Sequence, residues 1–275
     1  MRLIKAYNLA EGDIYELEKL MTSSNVKAIV IAAGLGSRLK GYTEDLPKCM
    51  LKFGEKTLLE RQVDAYRECG IKNISVIRGY KKEKINYPNL RYYDNPEFKN
   101  NNIINSLFYA EKELKGNVVV AYSDIIFDAA IVRRLLEAQS DISIVVDIDW
   151  RGYYLDRKDH PIEEAENVIF GADNKVIKIG KILTEKDDVH GEFIGMMKLT
   201  PRGADILKRH FHRAKQLFWD KPYQRAKVFQ KAYITDIIQD MADLGVPIHC
   251  VTIGRGWKEI DTVEDYEKAV QEFGV

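Results

Sequence analysis

Two cations and two carboxylates in this chain sit where phosphate chemistry needs them. Arg38 follows the turn Gly34-Leu-Gly36-Ser37, which ends the apolar run from Val26 through Ala32 and Ala33. A buried strand that delivers backbone N–H groups and a guanidinium to one point suits a bound phosphate. Lys48 comes ten residues later, directly after Pro47, so a rigid turn carries a second cation to the far side of the same loop. Asp124 closes the apolar stretch Val118-Val-Val-Ala-Tyr-Ser123, and Asp261 precedes Thr262, which reads as a helix N-cap facing Asp265. Two strand-end carboxylates from distant parts of a chain are a fitting pair for one Mg²⁺ alongside phosphate oxygens and water.

Each feature also has a plainer reading. Glycines after a strand often only turn the chain, and an aspartate at a strand end commonly caps a helix. The third glycine of a dinucleotide fingerprint is missing, with Leu39 in its place, which disfavours NAD.

The rest of the chain sets the frame for these residues. At 275 residues and 45% hydrophobic content it buries a sizeable core, either as one large α/β domain or as two smaller ones. Its 42 basic and 42 acidic side chains cancel, so no global field favours nucleic acid or an anionic membrane. Cys49, Cys69 and Cys250 are odd in number and lack C-x-x-C spacing, which argues against a disulfide framework and a structural zinc. Without a long apolar leader or spanning segment, a soluble cytoplasmic protein is expected.

Alternating strands and helices should hold the candidates in place. Strands are expected over 26–31, 74–77, 90–93, 117–122 and 142–146, with helices over 57–69, 81–86, 102–114 and 128–138 between them. Thr57-Leu-Leu-Glu60 has capping-box spacing, and Gly70 supplies a stop. This is a Rossmann-like α/β pattern, a mixed, mostly parallel sheet flanked by helices. After Trp150 the rhythm changes to a hairpin over 167–178, a long strand over 192–199, helices over 201–218 and 228–244, a strand over 248–253 and a last helix from Thr262. The division suggests a nucleotide-binding half over 26–148 and an acceptor-binding half over 149–275. Residues 1–25 form an N-terminal extension with a strand over 2–6 and an amphipathic helix bearing Ile14, Leu17 and Met21. A docking element, a homodimer contact and a linker remnant are all open readings for it.

Taken together, Ala32-Ala33-Gly34-Leu-Gly36-Ser37-Arg38, Pro47-Lys48, Ser123-Asp124 and Glu259-Ile-Asp261 resemble the nucleoside-triphosphate transferase superfamily of sugar-nucleotide pyrophosphorylases. The resemblance spans residues 26–275 and implies the nucleotide-diphospho-sugar transferase fold. It further implies that the loop from Ala32 to Ser37, with Arg38 and Ser123, binds the triphosphate, that Lys48 assists at the α-phosphate, and that Asp124 and Asp261 hold Mg²⁺. Within the superfamily the chain is most similar to choline-phosphate and phosphonate cytidylyltransferases. The segments carrying that likeness are Gly79-Tyr80-Lys-Lys-Glu83, Asn101-Asn102-Ile-Ile-Asn-Ser106, Trp150 with Tyr154, Arg157 and Glu164-Ala-Glu166, and Glu192-Phe-Ile-Gly195. Lys40-Gly-Tyr-Thr43 departs from the Pro-Leu-Thr of the sugar-1-phosphate enzymes.

On this resemblance Tyr80, Asn101, Asn102 and Ser106 would meet base and ribose, although an Asn-rich turn with a cap explains them equally well. Trp150, Tyr154, Arg157, Glu166, Lys181 and Glu192 would surround the acceptor. Trp150, Tyr153, Tyr154 and Trp257 also invite an aromatic-cage reading for an ammonium group, against the commoner role of core packing. The expected reaction joins CTP to a small phosphate or phosphonate monoester, with phosphonate preferred, and uses neither nucleic acid nor membrane. A sugar-1-phosphate or inositol-1-phosphate nucleotidyltransferase is the competing enzyme. A catalytically silent nucleotide-binding regulator is the competing non-enzyme.

Overall fold

Alternation within the first strand decides where the sheet lies. In the computed structural model, which describes residues 26–155, 157–181 and 189–273, strand β1 (Val26–Ala32) sends Val26, Ala28, Val30 and Ala32 into one apolar layer and Ile29 and Ile31 into the other. A strand buried on both faces belongs in the middle of a sheet covered by helices on each side. The elements that follow are β2 (Lys52–Phe53), β3 (Lys56–Thr57), α1 (Leu58–Glu68), β4 (Asn73–Arg78), β5 (Arg91–Asp94), α2 (Ile103–Leu107), β6 (Asn117–Tyr122) and β7 (Ile125–Phe127). Then come α3 (Ala129–Glu137), β8 (Ile142–Asp147), α4 (Trp150–Tyr154), β9 (Asn167–Phe170), β10 (Val176–Gly180) and β11 (Gly191–Leu199). The chain closes with α5 (Pro201–Phe218), α6 (Ile234–Asp243), β12 (His249–Ile253), β13 (Trp257–Glu259) and α7 (Val263–Phe273).

Nine of these strands form one sheet, ordered β10-β9-β11-β6-β1-β4-β5, with β8 beside β11 and β12 beside β8. β1 pairs parallel with both β4 and β6, and β12 is parallel to β8, whereas β11 runs antiparallel to β6, β8 and β9. The sheet is therefore mixed, as its mostly parallel first half and later hairpin foretold. Helices α5 and α6 cover one face and α1 and α3 the other. The α1 capping box forms as its spacing predicts, with the Thr57 hydroxyl accepting from the Glu60 N–H and the Glu60 carboxylate from the Thr57 N–H.

Several expectations change in the folded chain. The helix expected over 102–114 breaks into α2 and a 3₁₀ segment, Phe108–Glu113. The Phe108 ring stacks on Phe211, and Glu113 is buried against Lys27 and Tyr93, contacts that override helical propensity. The helix expected from 228 starts only at Ile234, because Phe229 is fully buried against Phe211 and Tyr223, and Asp236 caps the Tyr233 N–H. The region 81–86 holds only a 3₁₀ turn, Lys82–Lys84. Two short ribbons, β2–β3 and β7–β13, appear where no strand was expected. The strand and helix expected within residues 1–25 lie outside the described residues. Among the described residues no helix is long and apolar enough to cross a membrane, and all three cysteines are buried and free.

Because β11 lies between β6 and β8, the two halves read from the sequence share one sheet. A single unfolding transition is expected. Trp150, Trp219 and Trp257 all lie in the second half, so their fluorescence and the far-UV circular dichroism of the whole chain should change at the same urea concentration. Two separated midpoints would make the halves independent domains.

Candidate active site

A cavity of about 570 Å³ opens at the carboxyl ends of β1 and β6. Since the chain leaves β1 toward β4 and returns through β6 on its other side, this is a topological switch point, where open α/β sheets bind ligands. One wall is the turn after β1. Gly36 has φ of +64°, and a Cβ there would lie 3.3 Å from the Lys48 Cβ. Only glycine combines that backbone with so close an approach of the lysine-bearing segment. The Thr43 hydroxyl donates to the Gly36 carbonyl (2.8 Å) and ties the loop shut.

The two distant aspartates are brought together by the β7–β13 ribbon. Trp257 pairs with Phe127 and Glu259 with Ile125, and just beyond it the Ile260 N–H donates to the Asp124 carbonyl at 2.8 Å. From α1, the buried Gln62 amide donates to the carbonyls of Tyr122 and Ile125, on either side of Asp124. Asp124 and Asp261 thus face one point, which the Lys48 ammonium occupies. Its Nζ donates to Asp124 at 2.9 Å and also to Asp261, and Arg38 donates to the other Asp261 oxygen.

These charges depend on one another. Burial alone would raise the Asp261 carboxyl, but Lys48 and Arg38 beside it hold it down at about 2. Burial works against the Lys48 ammonium, yet Asp124 and Asp261 carry its pKa above the ordinary lysine value. Glu259 lines the same cavity and is driven well above the usual carboxylate range, first by burial and then by the charges of Asp261 and Asp124.

The donor set fits a magnesium ion. It consists of hard carboxylate oxygens gathered about one cation position, and Asp124 Oδ1 is buried without a hydrogen-bond partner among the described residues. His160, Glu259 and Asp261 also place ligand atoms within 4.8 Å of one another. His160 Nδ1, however, lies 2.7 Å from Arg157 Nη2 and 3.4 Å from Asp265 Oδ2, and Nε2 faces Glu259 at 3.5 Å, so both ring nitrogens are engaged by neighbouring side chains.

On one side of this cluster Asn101, Asn102 and Ser106 line the cavity, with Ala32, Ala33, Gly34 and Ser123. Asn101 exchanges hydrogen bonds with Asn95, whose amide also donates to Ser106 at 2.8 Å. The opposite wall carries Glu164, Glu166, Lys181 and Glu192. Lys181 donates to Glu164 (2.5 Å), Glu166 accepts from the hydroxyls of Tyr122 (3.2 Å) and Thr235 (3.3 Å), and Glu192 accepts from Tyr154 (2.5 Å). Gly195 closes this wall. It has φ of +78°, and a Cβ would sit 2.3 Å from the Tyr122 ring.

Other expected contact residues stand off the cavity. Ser37 starts a 3₁₀ segment, is exposed to solvent and does not border the cavity. Tyr80 is held away by its hydroxyl, which donates to the Glu44 carbonyl. Trp150 and Tyr154 are buried behind the wall with Ala165 and Val189, so Tyr154 reaches the site only through Glu192. The Arg157 side chain is turned inward onto Asp265. The expected cage of Trp150, Tyr153, Tyr154 and Trp257 does not assemble around the cavity, since only Trp257 borders it. Glu259 received no role from the sequence, although its spacing of two from Asp261 places both on one side of an extended chain.

Comparison with known proteins agrees with this architecture. Residues 28–173 match the MobA-like NTP transferase domain. The chain is 27% identical over 258 residues to a CTP:phosphoglutamine cytidylyltransferase of Campylobacter jejuni, covering 90% of this chain and 100% of that protein. It is 27% identical over 212 residues to a 2-aminoethylphosphonate cytidylyltransferase of Lancefieldella rimae, covering 72% and 79% respectively. The structure of CTP:phosphocholine cytidylyltransferase from Streptococcus pneumoniae superposes with a TM-score of 0.68 at 23% identity, over 90% of this chain and 99% of that one, a likeness of fold. With more than half of its length matching that domain, the chain belongs to the MobA-like NTP transferase domain family, as a nucleotidyltransferase.

Proposed function

We propose that the chain is a Mg²⁺-dependent cytidylyltransferase that moves CMP from CTP to a small phosphate or phosphonate monoester whose other end carries N–H groups. The observation that carries this reading is the convergence of Lys48 and Arg38 on Asp124 and Asp261 in the cavity at the switch point. The choice of cytidine draws support from the names of the relatives.

The acceptor's oxyanion is itself a competent nucleophile near neutral pH, so no base is required, and no histidine borders the cavity among the described residues. The acceptor oxygen bonds to the α-phosphorus in line as the bond to the bridging oxygen breaks and pyrophosphate leaves with that electron pair. Lys48 neutralises charge developing at the α-phosphate, Arg38 meets the departing pyrophosphate, and Asn101, Asn102 and Ser106 orient base and ribose. Mg²⁺ held by Asp124 and Asp261 would supply further charge neutralisation at the phosphate oxygens.

The acceptor's far end is read from the acidic wall. Glu192 is buried, with one oxygen on Tyr154 and the other without a partner among the described residues. Such an oxygen is costly to leave unpaired and favours a ligand N–H, from a primary ammonium or an amide. A quaternary ammonium has no N–H to offer. Aminoethylphosphonate-like and glutamine-like acceptors are therefore preferred over phosphocholine.

Burial raises both Glu166 and Glu192 to about 7. Lys181 and the Tyr122 and Thr235 hydroxyls oppose the rise at Glu166, and Tyr154, Arg157 and Arg255 oppose it at Glu192, while Asp236 and Asp147 respectively reinforce it. Each carboxyl ionises as pH climbs from 6 to 8, so an ammonium acceptor binds more tightly over that range, with KM falling about tenfold. In Glu192→Gln the KM is higher and the fall shallower. The ratio of variant to wild type removes the acceptor's own phosphate ionisation, and a flat ratio would show that Glu192 does not meet the ammonium.

The deciding experiment is pyrophosphate release from each of four nucleoside triphosphates with Mg²⁺ against aminoethylphosphonate, hydroxyethylphosphonate, phosphoglutamine, phosphocholine and sugar-1-phosphates. Release with CTP and an N–H-bearing acceptor is expected. Release with UTP or dTTP and a hexose-1-phosphate, and none with CTP, would overturn the assignment.

A further inference from the structure

We propose that Arg157, which does not border the cavity, is a positioning residue for Asp261, acting through the first turn of α7. The proposal rests on the reading of Asp261 as a metal carboxylate. The Arg157 side chain is only 2% exposed. Its Nε and Nη2 donate to the two oxygens of Asp265 at 2.8 and 3.0 Å, and its planar group lies against the rings of Tyr153 (4.4 Å) and Tyr154 (4.9 Å). Asp265 Oδ2 accepts in turn from the backbone N–H groups of Asp261 (3.1 Å) and Thr262 (3.0 Å). A bidentate fork fixes the plane of the carboxylate it grips, so Arg157 sets where Asp265 holds the Asp261 backbone, and hence where the Asp261 side chain stands.

A plain structural clamp would look similar, and the molecule contains one for comparison. Glu264 joins the same two segments, accepting from the backbone N–H groups of Lys158 (2.7 Å) and Asp159 (2.9 Å), and makes no bond to Asp261. Loosening either tie weakens the junction between α7 and the 157–160 segment. Of these two ties, the Arg157 one leads on through Asp265 to the Asp261 backbone, while His160 of the same segment stands 4.0 Å from the Asp261 carboxylate. Tyr154, three residues before Arg157, donates to Glu192 of the acidic wall, so one short segment is tied to the acceptor side directly and to Asp261 through Asp265.

The test compares Arg157→Lys, Asp265→Asn and Glu264→Gln in the full chain. Mn²⁺ binding is followed by the electron paramagnetic resonance of the free ion, with CTP and without acceptor, so nothing turns over. Melting temperature, kcat and the CTP KM are measured in parallel. Arg157→Lys keeps the charge and loses the fork. It should weaken Mn²⁺ binding about 10–100-fold, the usual cost of losing a group that orients a metal ligand, and lower kcat while the CTP KM stays within about twofold of wild type. Asp265→Asn should reproduce this loss, which keeps the test intact if Arg157→Lys does not fold. Glu264→Gln should leave Mn²⁺ binding at the wild-type level even where melting falls equally. Wild-type Mn²⁺ binding in folded Arg157→Lys or Asp265→Asn, or an equal loss in Glu264→Gln, would overturn the proposal. Absence of Mn²⁺ binding in the wild-type protein with CTP would instead overturn the reading of Asp261, and this proposal with it.

Discussion

Asp261→Asn should lower turnover on the order of 10³-fold while the protein stays folded. Asparagine keeps the shape and one oxygen of the side chain and removes its charge. That charge is one of the two that define the cation position, and preorganised charge of this kind typically contributes a factor of about 10²–10³ to a rate. The fold is spared because Lys48 retains Asp124 at 2.9 Å, and Arg38 is half exposed and turns to water. Asp124→Asn should behave likewise, since its segment is held by Gln62 and Ile260 through backbone carbonyls that the substitution leaves intact. Pyrophosphate release with saturating CTP and Mg²⁺, beside a thermal melt, reads both quantities. Wild-type rates in a folded variant would remove the aspartates from the chemistry.

Lys48→Met should lose activity on a similar scale and, unlike the aspartate variants, gain a dependence on metal for its stability. In the folded chain the Lys48 ammonium sits where the two aspartates would hold a cation, with its side chain only 13% exposed. Methionine fills the same space without charge, leaving Asp124 and Asp261 to repel each other beside Glu259. Removing one partner of such a buried group costs about 3 kcal/mol, or roughly 6–12 °C in melting temperature. Millimolar Mg²⁺ or Mn²⁺ should restore most of that loss, because ion binding to the native state adds stability by mass action. The same ions should move the wild-type melt far less, since there they must first displace the lysine. Equal shifts in both proteins would show that Lys48 does not guard the metal position.

What could be read from the sequence depended on how local the determining forces are. β1 was legible because alternating apolar residues bury both faces of one segment, and the glycine turn because few residue types adopt the positive φ of Gly36 readily. α1 was legible from its own capping box. The meeting of Asp124 and Asp261 was not, since the ribbon that joins them has strands of only three residues, too short to show a pattern. Their placement at strand ends had suggested the two aspartates as a pair for one Mg²⁺, and the resemblance implied the same, but neither supplied the geometry. Trp150, Tyr154 and Arg157 illustrate a different limit. Large amphipathic side chains serve equally well in a pocket and behind one, and their direction is set by α4 and the segment after it folding back onto β11 and α7. Glu259 was within reach, because a spacing of two from Asp261 signals a shared face. The later start of α6 was out of reach, because the burial of Phe229 against Phe211 of α5 and Tyr223 is a tertiary event.

β11 carries Glu192, Phe193, Ile194 and Gly195 into the cavity while its bonding edges run along β6 on one side and β8 on the other. On the proposed reading, acceptor recognition would thus be written in part on a strand that the strands of the nucleotide-binding half also need for their own pairing. A new acceptor cannot be acquired by exchanging a module, since any replacement must keep the antiparallel register, the shift between Phe193 and Met197, and the glycine that clears the Tyr122 ring. On β11, change is confined to individual side chains of a fixed strand. Relatives with this architecture should therefore diverge in acceptor by small steps in charge and volume along one line of residues, while the apparatus that breaks the triphosphate stays constant.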